Sequence, residues 1–188
     1  MNDRYVYYAQ LQHLARQHIA AKVNHKNAHA GTTAFRGVTL SSISEAALRE
    51  ADEEWPKYHH RSPHGGFGDD VRWAEIFRKF QYRPSFFNVA VWQELDSGTT
   101  VLQALALGRP SRGKSHLTIH AFEKCFAPYA LNKVALLVLS CASEYAKLLG
   151  ASRVLIKGAL HEPVYQRYGF RRYRLPRLNR TFMSRDVS

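Results

Sequence analysis

Residues 130–149 are apolar around most of a helical perimeter, with polar side chains mainly at Lys133, Ser140, Ser143, Glu144 and Lys147. A helix with so little face for water must lie across a sheet. Gly150 is placed to close it as the residue past its C-terminus. SRVLIKG, directly after, reads as a buried strand, HEPVYQRYG as a short helix ending in Gly169, and FRRYRL as a strand, with one strand or a pair to finish.

Upstream, SFFNVAVWQ and TTVLQALALG are β-rich runs joined by Leu95-Asp96-Ser97-Gly98, a hairpin signal. The tight turn Arg109-Pro110-Ser111-Arg112-Gly113-Lys114 leads into a third run, HLTIHAFEKC, so three antiparallel strands in succession are expected. Before them FRGVTL (35–40) reads as a short strand. Ser42-x-x-Glu45 has the capping-box pattern and opens a helix to about Glu54. A polar loop, PKYHHRSPHGGFG, follows, and Asp69 and Asp70 start a helix through Phe80.

Apolar residues at Tyr5, Tyr8, Leu11, Ala15, Ile19 and Val23 predict a first helix over 3–25, broken by KNAHAGTT and packed on the domain or on a partner subunit. No linker divides the chain. One domain over 31–188 with a helical extension over 1–30 is expected, as monomer or homodimer. The element order is mixed α/β with no G-x-G-x-x-G, which excludes a doubly wound dinucleotide fold.

No apolar run approaches the ~20 residues that span a bilayer, and MNDRYVYYAQ lacks the pattern of a secretory leader. A cytoplasmic protein without a membrane partner is expected. The two cysteines, Cys125 and Cys141, have no metal-ligand spacing and read as structural thiols. Twenty-seven basic against 15 acidic residues leave a net charge of +12. Seven arginines from Arg167 onward face one acid, Asp186. Such a field attracts polyanions. Basic residues interleaved with Tyr173 make Arg109, Arg112, Lys114, Arg171, Arg172 and Arg174 nucleic-acid contact candidates, for RNA or DNA, although no sequence-specific DNA- or RNA-binding motif is present.

The segment ASRVLIKGALHEPVYQRYGFRRY, after a long helix ending in LLG, resembles the C-terminal half of GNAT N-acetyltransferases. Its local signature is Tyr165-Gln166-Arg167-Tyr168-Gly169-Phe170, a Y-x-x-x-G-F that closes a short helix into a strand. The resemblance covers about residues 35–185, and LALGRPSRGKSHLTIHAFE looks like a group of divergent bacterial GNAT-like proteins. It implies a mostly antiparallel mixed sheet splayed between its fourth and fifth strands, HLTIHAFEK and SRVLIKG. Acyl-CoA, acetyl-CoA first, enters that gap, and an amine acceptor attacks the acyl group directly.

By this resemblance Tyr165 is the acid that protonates the leaving thiolate, and His120 or Glu123 is the base. Strand alternation sends His120 and Glu123 to opposite faces unless a bulge intervenes. Phe122, Lys124, Asn132, Lys133, Lys157 and Gly158 fall at cofactor-binding positions. The family's phosphate loop is glycine-rich, whereas Phe126-Ala127-Pro128-Tyr129-Ala130-Leu131-Asn132-Lys133-Val134 holds no glycine, and Lys157-Gly158 stands where relatives carry asparagine. His59, His60 and His64 are expected on an acceptor-facing loop rather than around a metal. Three functions stay open: an acyltransferase, a nucleic-acid binding or modifying protein on the same scaffold, and an inactive interaction module.

Overall fold

The structure is a computed structural model that describes residues 3–30 (backbone alone at 28–30), 35–62, 72–159, 162–175 and 181–187. In chain order its elements are α1 (Asp3–Ala30), β1 (Val38–Ser41), α2 (Glu45–Glu53), a 3-10 helix (Trp55–Arg61) and α3 (Trp73–Arg78). Then come β2 (Phe87–Glu94), β3 (Thr100–Pro110), β4 (His116–Lys124), α4 (Val134–Leu148), β5 (Arg153–Lys157), α5 (Glu162–Gln166), β6 (Arg171–Arg174) and β7 (Thr181–Asp186). The seven strands form one sheet in the order β1-β2-β3-β4-β5-β7-β6, antiparallel throughout except for the parallel β4–β5 pair. This is the expected mixed sheet, closed by a strand pair.

One face carries α4 and α1. Leu137, Val138, Cys141, Ala142 and Tyr145 of α4 are buried with Ala15, Ile19 and Val23 of α1 and with Val89, Ala106, Leu117, Ile119, Val154 and Ile156 of the sheet. Helix α1 therefore packs on the domain. It also runs past the expected end at 25, because Lys26 to Ala30 contain neither glycine nor proline to stop it. His18 Nδ1 lies 2.8 Å from Glu144 Oε1, and this bond, with Lys22 second, holds the carboxyl below its usual range. The other end is fastened at Asn88, whose Nδ2 donates to Gln12 Oε1 (2.7 Å) and whose carbonyl accepts from Arg16 Nη1 (3.3 Å).

Asn88 also decides where α2 begins. Its Oδ1 accepts the Ile43 N–H at 2.8 Å, which keeps that peptide extended. The cap is accordingly Ser44, whose Oγ accepts from Ala47 N, and not Ser42 of the expected capping box. The supposed polar loop contains the 3-10 helix, with Pro56 in its first turn where its missing N–H is no loss. Helix α3 starts at Trp73 rather than at the acid pair. Asp52 of α2 accepts from Trp73 N (2.6 Å) and Ala74 N (3.3 Å), so the anion at this helix start comes from another element. Asp69 and Asp70 lie outside the described residues.

These three short helices cover the opposite face of the sheet at its β1–β4 side. Trp55 and Trp73 meet edge-on, 6.5 Å between ring centroids, over Leu102, Leu105, Leu107 and Ala121. Past them, the same face of β4, β5 and β7 carries no helix among the described elements.

A bulge sets the side-chain directions of β4. Leu107 pairs with Ala121 but Gly108 with Ile119, which leaves His120 as the extra residue. Before it, Leu117 and Ile119 enter the α4-side core; after it, Ala121 and Cys125 turn to the Trp55/Trp73 core. A β-carbon at Gly108 would stand 2.6 Å from the Thr118 carbonyl oxygen, a backbone atom that cannot move aside. Gly108→Ala should cost about 1–3 kcal/mol, the range for overpacking. Denaturant unfolding will show this as a lower midpoint with an unchanged m-value.

Candidate functional site

The parallel pairing of β4 and β5 is short. It runs from His116↔Arg153 to Ile119↔Ile156 and stops. Beyond it β4 continues to Lys124 along β3, while β5 ends at Lys157 opposite Phe182 of β7. The two strands thus part at His120, the bulge residue. From there on, among the described residues, β4 presents an edge with no strand partner on the β5 side, a row of backbone donors and acceptors inside the sheet.

His120 turns to the face opposite α4, where its ring lies 5.3 Å from the ring of Phe80. It opens into a trough of about 690 Å³ along β4, lined also by Arg83, Arg109, Arg112, Lys114 and Lys157. Burial first, then Arg109 and Lys157, lower its pKa to about 4, so the imidazole is neutral at pH 7.

The folded protein therefore binds fewer protons at His120 than the unfolded chain between about pH 6.5 and 4. Stability is retained above that window and falls as pH drops through it, on the order of 2 kcal/mol after solvent screening. Thermal melts at pH 7 and 4.5 should show a smaller acid loss in His120→Gln than in the parent protein.

The bulge turns Glu123 to this same face, unlike plain alternation. It is not a surface group, being 7% exposed. Its Oε2 accepts the Trp73 indole N–H at 2.6 Å, and its Oε1 lies 3.3 Å from His59 Nε2. That second approach is an ion-pair distance without hydrogen-bond alignment, since neither ring nitrogen of His59 completes a hydrogen bond. His59 is thus part of the cap over β4. His60 is exposed at the end of the 3-10 helix, and His64 lies outside the described residues. No cluster of His, Cys, Asp and Glu suited to a metal occurs among the described residues.

Tyr165 sits on α5, half-buried against the α4-side core and edge-on to Phe170, with ring centroids 6.4 Å apart. Burial raises its pKa, so the phenol keeps its proton at neutral pH. Tyr165 and His120 consequently lie on opposite faces of the sheet on either side of the fork. Phe122 packs at the same α4-side core, and Lys124 is exposed with its Nζ 5.0 Å from the Phe126 ring centroid. Lys157 is exposed at the end of β5, and Gly158 follows with φ +63°.

The glycine-free loop is held by protein groups. Gln103 Oε1 accepts from Leu131 N (2.6 Å), Ala127 O from Ala130 N (2.9 Å), and Cys125 Sγ from Ala127 N (3.4 Å). Asn132 and Lys133 form the turn into α4, and Lys133 takes the left-handed conformation at φ +63°, as its N-cap. That conformation costs a lysine about 1–2 kcal/mol. Helix α4 begins at Val134, later than the apolar pattern implies. Leu136 N donates to the Lys133 carbonyl (2.9 Å), which leaves the N–H groups of Val134 and Ala135 at its start without an intrahelical acceptor.

For acyl-CoA the fit is therefore partial in kind. The unpaired β4 edge suits a pantetheine amide chain. The α4 N-terminus and Lys133 suit phosphates without the usual glycines. The nucleic-acid candidates divide. Arg109, Arg112 and Lys114 line the trough, and Arg171 pairs with Ser184 on its face. Arg172 pairs with Met183, a residue of the α4-side core, and bonds Glu162; Arg174 is at the end of β6. Arg83, Gly108, Trp73 and Asn88 carry no motif. The one sequence signal among them is a glycine inside a strand pattern, which marks bulges.

No family model matches the sequence, and no curated protein matches it. Solved structures do. A domain from Methanocaldococcus jannaschii superposes with a TM-score of 0.57 at 11% identity, over 80% of this chain and 98% of that one. A GNAT-family acetyltransferase from Staphylococcus aureus gives 0.55 at 10% identity, over 80% and 99%. N-acetylglutamate synthase from Neisseria gonorrhoeae, solved with coenzyme A and N-acetyl-glutamate, gives 0.52 at 16%, over 80% of this chain and 35% of its own longer chain. The chain has the fold of the GNAT N-acetyltransferases. No described helix is long and apolar enough to cross a membrane.

Proposed function

We propose that the protein transfers an acyl group, acetyl in the first instance, from acyl-CoA to an amine. The observation that carries this reading is the coincidence of fork and bulge: β4 leaves β5 at the residue that turns a neutral imidazole out of the sheet. Acyl-CoA, when bound, supplies an acyl thioester. The β4 edge past Ile119 binds the amide chain of such a donor. The Val134 and Ala135 N–H groups at the start of α4, with Asn132 and Lys133, hold its phosphates, and Phe122, Lys124, Lys157 and Gly158 flank the passage.

His120 accepts a proton from the attacking amine, a task for which it must be neutral. Its lowered pKa makes it a weak base for a free ammonium ion, so its role is to take the proton as the new bond acidifies the nitrogen. Tyr165 holds its proton at Oη for the departing sulfur. Glu123, clamped by Trp73 and set beside His59, orders the cap and not the proton transfer.

Calorimetric titration with acetyl-CoA at moderate salt tests the donor site. Saturable micromolar binding is expected. Absence of heat at every concentration would sink the acetyl-CoA mechanism, leave the fold standing, and favour the interaction-module reading.

A further inference from the structure

Five cationic side chains line the trough that starts at His120: Arg83, Arg109, Arg112, Lys114 and Lys157. Among the described residues no acidic side chain lines it, and none of the five forms an ion pair. Unpaired cations gathered in one concavity repel each other, and an anionic ligand relieves that. The field is felt inside the trough, where Arg109 and Lys157 both push the His120 pKa down.

The charges also have a direction. His120 is at the fork, and Arg112 and Lys114 are in the β3–β4 turn beyond His116. Four strand residues separate the ends, about 13 Å. Tyr8 of α1, which also lines the trough, lies beside Lys114 Nζ (5.2 Å), so a flat ring accompanies the cations at that end.

Resting on the acyltransferase reading, we infer that the amine acceptor carries phosphate groups, held along this trough by Arg83, Arg109, Arg112 and Lys114 while its amine reaches His120. A nucleotide whose base bears an exocyclic amine has this chemistry, free or as part of a single strand. Phosphates held at several points along β4 favour the strand.

The test uses the full chain, fluorescence-labelled ten-nucleotide oligo(C) RNA, CMP and acetyl-CoA, cytosine bearing the exocyclic amine that the inference requires. Arg112→Ala/Lys114→Gly removes two trough cations without harm to the turn, since Lys114 sits at φ +55°, where glycine is favoured. Lys147→Ala/Arg172→Ala removes two cations from the α4 side and serves as the control. Oligo(C) affinity should fall with salt with a log–log slope of about −2.8, from four contacts on a single strand, and about −1.4 in the trough variant. At low salt the trough variant should bind roughly tenfold more weakly, and the control unchanged.

If CMP binds as well as oligo(C) and shows the same variant effect, the acceptor is a small phosphoester; if only the oligomer binds, it is a strand. Equal losses in both double variants would reduce the effect to general charge and overturn the inference. So would failure of both probes to bind while acetyl-CoA binds, which leaves the acyltransferase reading intact. A tenfold loss of acetyl-CoA affinity in the trough variant would assign the trough to the donor's phosphates, and the inference would fall. Probe binding without acetyl-CoA binding would instead remove the acyltransferase reading, and with it the acceptor role.

Discussion

Tyr165→Phe should slow acyl transfer about 10²–10⁴-fold while the melting transition stays in place. The phenol ring packs edge-on against Phe170 and joins the α4-side core, and phenylalanine keeps both contacts. What it removes is the hydroxyl, the one group at this position able to protonate a leaving sulfur. Acetyl-CoA affinity should change little, because the proton moves only as the bond breaks. Steady-state rates and a calorimetric titration on the same preparation check both halves. Full turnover in the variant would take Tyr165 out of the chemistry and leave it an aromatic of the short helix.

Trp73→Ala should destabilise the protein by about 3–5 kcal/mol, the range for removing a large buried aromatic. Its ring is 2% exposed and braces Trp55. The deletion also removes the indole N–H that Glu123 Oε2 accepts at 2.6 Å, and a hydrogen bond lost from a buried carboxylate adds to the cost. Urea unfolding measures the sum. Glu123→Gln separates structure from chemistry at the same place. An amide oxygen still accepts from Trp73, so stability should fall by a smaller amount, and turnover should stay within a few-fold. A loss of turnover as large as that from Tyr165→Phe, with the fold intact, would return Glu123 to the list of bases.

Much of the architecture is legible along the chain because its signals are local. The apolar perimeter of 134–148 demands a sheet beneath it, the alternation of 87–124 makes antiparallel strands, and the Y-x-x-x-G-F run closes α5 onto β6. Element ends were less legible, since partners distant in sequence set them. Asp52 caps α3 from 21 residues away, and Asn88 moves the start of α2 from 45 residues away.

The residues themselves determine a mixed α/β fold, its strand and helix order, its basic surplus and the tyrosine after the fifth strand. Tertiary structure alone decides which of those residues act together. Alternation predicts opposite faces for His120 and Glu123, but a single inserted residue opposite Gly108 inverts the parity of β4 and turns both to one side. Burial then separates them again, placing one at an open basic trough and the other under Trp73 beside His59. Pairing register and long-range burial are properties of strands brought together in space, and no local pattern in β4 encodes what β3, α3 and the 3-10 helix do to it.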